Sequence, residues 1–140
     1  RLEAGTQNIP GIAGLAEGLH FVRSAGLSAI SGHERRLIAL LRRELLALPE
    51  VRVFSAANPA CQSSVLSFLI PGRDCEQAAG YFASRQIAVR AGLHCAPLAH
   101  ATAGTLETGT IRVSVSAFNT EEEIQRFLLV LKEFLRGNTW

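Results

Sequence analysis

The sequence predicts an α+β fold, an α/β sandwich in which a mixed or antiparallel sheet of about four strands carries packed helices. Three observations support this. Apolar residues recur at helical spacing in four segments, and short β-forming runs bounded by Pro and Gly mark four more. Their order is helix, helix, strand, strand, helix, strand, strand, helix.

The first ten residues, ending in Asn8-Ile9-Pro10-Gly11, read as a loop leading into a helix with Pro near its first turn. Ile12, Leu15, Leu19 and Val22 then keep helical spacing to about Ser24, and Gly26 ends the segment. A longer helix is expected from Ser28 to Leu48, with Leu37, Leu41, Leu45 and Leu48 on one face. Its pairs Arg35-Arg36 and Arg42-Arg43 fall on the solvated side, and Pro49 stops it. Val51 to Phe54 is a short strand, followed by a polar loop through Asn58-Pro59. Ser64 to Ile70 is rich in β-formers and reads as a central strand closed by Pro71-Gly72. Asp74 is placed to cap a helix from Cys75 to Arg85 with Ala78, Ala79 and Phe82 inward. Ile87 to Arg90 is a further strand. In Thr110 to Ser116, Ile111, Val113 and Val115 alternate with Arg112, Ser114 and Ser116, the pattern of a half-buried strand. Thr120 and Glu123 then form a capping box for a last helix, whose apolar stripe is Ile124, Phe127, Leu128, Leu131 and Leu135.

Composition excludes several classes. A chain of 140 residues, 48% hydrophobic and 19% charged, is one soluble domain long enough to bury a core. A formal charge of +2 is too small to argue for nucleic acid or an anionic membrane as partner. No apolar run has the length of a membrane span, and there is no signal-peptide pattern. Three irregularly spaced cysteines make no disulfide framework, so a reducing, cytoplasmic setting is expected. The chain contains no Met and opens on Arg1-Leu2-Glu3, as expected of a processed protein or a piece of a longer chain.

Arg90-Ala91-Gly92-Leu93-His94-Cys95-Ala96-Pro97-Leu98-Ala99-His100 is the most chemically loaded stretch. Gly92 and Pro97 interrupt regular structure, so Cys95 should ride on an irregular loop. A cysteine beside cationic groups is a candidate nucleophile, because positive charge favours the thiolate; a packed cysteine is inert. His94, Cys95 and His100 also have ligand atoms for zinc, with Cys61 or Cys75 to complete the set, but the spacing matches no paired metal motif. A thiol hydrolase would need an orienting Asn or Asp and an oxyanion hole that nothing nearby nominates. Arg112 reads either as a substrate clamp or as a surface arginine, and the polar loop Glu3-Ala4-Gly5-Thr6-Gln7-Asn8 either as part of a site or as a turn. His20 and His33 read as surface or packed histidines.

Together these segments resemble a known family. Arg1 to Ile12, Ile87 to Pro97, Gly109 to Ser114 and Phe118-Asn119-Thr120-Glu121-Glu122-Glu123-Ile124 follow the order and spacing of the C-terminal part of class V aminotransferase-fold enzymes. The closest resemblance is to the cysteine desulfurases and their selenocysteine lyase-like branch, and it covers essentially the whole chain. The Arg-x-Gly-x-His-Cys form is similar to the short-loop, group II desulfurases.

The resemblance implies a small C-terminal domain of a fold-type I pyridoxal-phosphate enzyme. Residues 1–26 would be its connecting loop and helix, 27–140 its sandwich, and the large cofactor domain would lie outside the chain. It implies that Cys95 is the catalytic thiol, which takes sulfur from L-cysteine (or selenium from selenocysteine) as alanine leaves. Arg112 would bind the substrate carboxylate, a task suited to a planar fork. Arg90 and His94 would line the entrance, and Thr6 would reach the cofactor phosphate of the neighbouring subunit in a homodimer. A sulfur-acceptor protein would be a further partner. Leu93 departs from the pattern, in which a second histidine is common. No metal is implied. The cofactor's lysine has no counterpart, because the only lysine is Lys132 in the last helix. The chain alone is therefore expected to bind no pyridoxal phosphate and to be inactive. The competing readings are a class V aminotransferase or lyase for another amino acid, and a non-catalytic interaction module.

Overall fold

A computed structural model describes residues 5–137; Arg1 to Ala4, which open the first motif, lie outside the described residues. The elements are α1 (Ile9–Ala25), α2 (Leu27–Leu46), β1 (Arg52–Phe54), a 3-10 turn (Pro59–Cys61), β2 (Val65–Leu69), α3 (Cys75–Ser84), β3 (Arg90–Gly92), α4 (Pro97–Ala103), β4 (Thr110–Ser114) and α5 (Glu121–Arg136). The strands form one sheet in the order β1-β2-β4-β3, and every neighbouring pair is antiparallel. The α+β expectation holds, with the mixed alternative set aside.

Period-two alternation gives the sheet one apolar and one open face. Leu66 and Phe68 of β2 and Ile111 and Val113 of β4 point into the core. Leu37, Leu41 and Leu45 of α2, Ala78 and Phe82 of α3 and Phe127, Leu128 and Leu131 of α5 cover them. Phe82 stacks on Phe127 at 5.0 Å between ring centroids, and Phe68 meets Phe127 edge-on at 6.1 Å. All three covering helices lie on this face, which leaves the other to whatever chemistry the sheet carries.

Three differences from the sequence expectation bear on the core and the site. α2 stops at Leu46, with Ala47 as its cap, so Leu48 packs half-buried just beyond the helix. The strand expected over Ile87 to Arg90 pairs only from Arg90 to Gly92. After α3 the chain turns at Gln86 (φ 60°) and Ile87 N donates to Phe82 O at 3.0 Å, closing the helix end, so Ile87 and Val89 pack on the core before the ladder begins. The third difference is α4, where a loop was expected. Pro97 opens this helix because its fixed φ suits a first turn, and Gly104 (φ 68°) closes it in the left-handed conformation.

Helix α1 departs from its apparent amphipathic design. Ile12, Leu15 and Leu19 keep helical spacing, yet α1 has no buried residue, and it packs on α2 rather than on the sheet. No helix among the described residues is long and apolar enough to cross a membrane.

Candidate active site

Strand register builds the site. Phe54 pairs with Ser67, Ser67 with Arg112 and Arg112 with Arg90, so these four side chains form one row across the open face. Arg52, next along β1, shares that face and lays its guanidinium over the Phe54 ring at 4.9 Å. Three guanidinium groups therefore face one side of the sheet. Arg112, on an inner strand, is half-buried, and its Nε is buried without a hydrogen-bond partner. A buried donor of that kind costs free energy unless an anion or a water meets it.

The thiol loop begins where β3 ends. Gly92 (φ 97°) lies against Gly109 (φ 61°); a Cβ at Gly109 would stand 2.9 Å from Gly92 Cα and 3.0 Å from Cys75 Sγ. Only glycine permits that approach, and it brings the start of β4 under the loop. His94 (φ 51°) and Cys95 (φ 59°) follow, both left-handed, a conformation costing L-residues about 1–2 kcal/mol each. Cys95 is exposed, and it rides on the irregular loop that Gly92 and Pro97 predict.

His94 is tied down on its other side. Its Nε2 lies 3.2 Å from Thr110 O and 3.2 Å from Thr110 Oγ1. A carbonyl only accepts, so Nε2 carries the proton and donates, leaving Nδ1 as the lone-pair nitrogen of the neutral ring. That Nδ1 is buried and has no partner. Burial is the main force holding the His94 pKa below the ordinary histidine value; the Arg112 guanidinium adds to it, with smaller contributions from His100 and Arg90, against the opposing Thr110 carbonyl. Arg112 Nε and His94 Nδ1 are thus a donor and an acceptor that are both buried and both without a partner.

Of the residues singled out from the sequence, His94, Arg90 and Arg112 come together at the β3–β4 side of the sheet, and Cys95 follows His94 on the exposed loop after β3. Thr6 stands apart, exposed on the segment that leads into α1. Cys61 is exposed at the 3-10 turn and Cys75 is buried at the start of α3. Among the described residues no three His, Cys, Asp or Glu side chains gather as a metal site. Sequence reasoning did not single out Thr110 and Thr105, the hydroxyl residues that hold His94 and His100. Their signal is slight: two threonines flanking the Gly109 turn.

The chain belongs to the aminotransferase class-V family, whose sequence profile it matches over residues 1–127. Within that family it is similar to proteins named as cysteine desulfurases. It is 37% identical over 139 residues to probable cysteine desulfurase 1 of Mycobacterium leprae, covering 99% of this chain and 22% of that protein. It is 37% identical over 131 residues to a probable cysteine desulfurase of Xylella fastidiosa, covering 94% of this chain and 30% of that one. Among solved structures, the apo cysteine desulfurase of Thermococcus onnurineus superposes with a TM-score of 0.90 at 35% identity, over 99% of this chain and 34% of that chain. The S-sulfonic acid form of the cysteine desulfurase CsdA of Escherichia coli gives 0.85 at 30%, over 96% and 32%. The chain thus spans about a third or less of the length of these proteins.

Proposed function

We propose that this chain is the small C-terminal domain of a pyridoxal-phosphate-dependent cysteine desulfurase, with 1–26 as connector and 27–140 as sandwich. The observation that carries the reading is an exposed Cys95 on a left-handed turn, directly after the His94 whose charge state the Arg112 guanidinium influences. The cofactor supplies the electron sink that weakens the substrate's C–S bond. The residues of this chain do not fit it alone. Lys132, the only lysine, is half-buried on α5 in the helical layer, on the side of the sheet away from Arg112. In the full-length enzyme the cofactor would be held by residues outside this chain.

This chain's residues act on the substrate. Arg112 takes the α-carboxylate in a bidentate grip, and Arg90 beside it adds positive charge at the entrance. Neutral His94 presents a lone pair to the same space. Cys95 Sγ forms an S–S bond with the substrate sulfur as the substrate's C–S bond breaks, leaving a persulfide on the protein and releasing alanine. Exposure of Cys95 suits onward transfer of that sulfur to an acceptor protein. In a homodimer of the full-length protein, Thr6 would contact the cofactor phosphate of the partner subunit. Cys61, Cys75 and Cys95 are all free thiols, which accords with a reducing cytoplasm.

The test uses the full-length protein with L-cysteine, following sulfide and alanine. Cys95→Ala abolishes persulfide formation. Arg112→Ala raises KM about tenfold to a hundredfold, because charge-assisted hydrogen bonds to the carboxylate are lost. Undiminished sulfide release from Cys95→Ala would overturn the role of Cys95, and no sulfide from the wild-type protein would favour a class V aminotransferase or lyase with another substrate. Unchanged KM would return Arg112 to a surface role.

A further inference from the structure

Helix α4 is held in an unusual way for so short an element. It has seven residues, too few to be stable on local hydrogen bonds alone, and Leu98, its large apolar residue, is 84% exposed. Its one buried residue is His100. The His100 Nδ1 lies 2.8 Å from Thr105 Oγ1 and 3.3 Å from Thr105 O, and Thr105 is 1% exposed. Thr105 N donates to His100 O at 2.9 Å, and Gly109 N donates to Thr105 O at 2.9 Å. The segment from 94 to 110 is therefore closed twice, by His94 on Thr110 at its mouth and by His100 on Thr105 within. The two imidazole rings stand 5.8 Å apart between centroids.

Cys95 lies two residues before Pro97, the first residue of α4, so the seating of α4 decides where the thiol stands. The left-handed turn at His94 and Cys95 persists only while both of its ends are fixed. Thr110 fixes one end. We propose that the buried His100–Thr105 pair fixes the other and that both are positioning residues for Cys95, seating α4 so that the thiol is presented above the Arg112 row. The assignment of a task to that thiol rests on the desulfurase reading; the seating itself does not.

The experiment compares Thr105→Val and Thr105→Ala, which remove the hydroxyl, with Thr105→Ser, which keeps it, in the full-length protein. Hydrogen exchange is read at Ala96 N and His100 N, which donate within this segment to Leu93 O and Ala96 O. Loss of the hydroxyl is expected to raise exchange there about fivefold to thirtyfold, with the β2–β4 ladder unaltered and the serine variant close to wild type. With L-cysteine, kcat for alanine release falls by a similar factor while KM holds, since Arg112 is untouched. Unchanged exchange at these amides overturns the proposal, as does an equal rise across the ladder, or a serine variant as impaired as valine. A rise confined to the loop in a protein that releases no sulfide from cysteine upholds the seating and defeats the desulfurase reading instead.

Discussion

At the scale of single residues, His94 shows how little of a side chain's state is written in its own identity. The sequence singled it out as a possible metal ligand and as a residue lining the entrance to the site. Its neutrality comes from burial and from Arg112, which reaches it through the antiparallel pairing of β3 with β4. Stability follows with a definite sign. The folded state holds His94 neutral, while the unfolded chain takes up the proton near the ordinary value of about 6.5. The unfolded state thus binds more protons as pH falls below that value. Stability from neutral His94 is complete above about pH 6.5 and is lost progressively below it. Urea midpoints of wild type should fall more between about pH 7.5 and pH 5 than those of His94→Asn, whose side chain carries no such proton. Equal falls in the two proteins would show that His94 titrates normally.

Among the elements, α5 was the most legible and α4 the least. Thr120 Oγ1 accepts from Glu123 N at 3.3 Å and Glu123 Oε2 accepts from Thr120 N at 3.1 Å, the reciprocal box that the spacing predicts. The box does not stand alone. Asn119 Oδ1 accepts from Ser116 N at 2.9 Å and lies 3.1 Å from Ser116 Oγ, its Nδ2 donates to Glu123 at 2.9 Å, and its carbonyl lies 2.8 Å from His33 Nε2 on α2. One asparagine thus ties the end of β4, the start of α5 and the flank of α2. His33, which had no partner along the sequence, finds it here. Asn119→Ala should cost about 1.5–3 kcal/mol and Thr120→Ala about 1 kcal/mol, read from urea unfolding. The reverse ranking would mean that the turn tolerates loss of its side-chain bonds. α4 and β3 were less legible because their limits depend on partners: β3 pairs only where β4 lies opposite, and α4 forms only where His100 is seated.

For the molecule as a whole, the apolar stripe of α1 is the unfinished surface. Ile9 is 63% exposed, Ile12 55%, Leu15 65% and Leu19 58%. Phe21 stacks on Phe118 at 5.1 Å, an aromatic contact outside the main core. A contiguous apolar stripe of this kind drives association in water. The isolated chain should therefore show concentration-dependent association in sedimentation velocity, and Leu15→Glu with Leu19→Glu should shift it to monomer without altering its circular dichroism. A monomeric wild-type chain at high concentration would count against a free stripe.

The sequence by itself determined the helices and strands with strong periodicity, the capping box, and the resemblance of Cys95, Arg112 and their flanking motifs to the desulfurases. Each of these depends on local spacing, which the chain carries in its own order. Tertiary structure alone decided that Arg90 and Arg112 share one row, that Arg112 Nε and His94 Nδ1 are left buried and unpaired, and that α1 keeps its apolar side uncovered. Register, burial and the field of a neighbouring charge are properties of segments brought together, and no spacing along the chain encodes them directly.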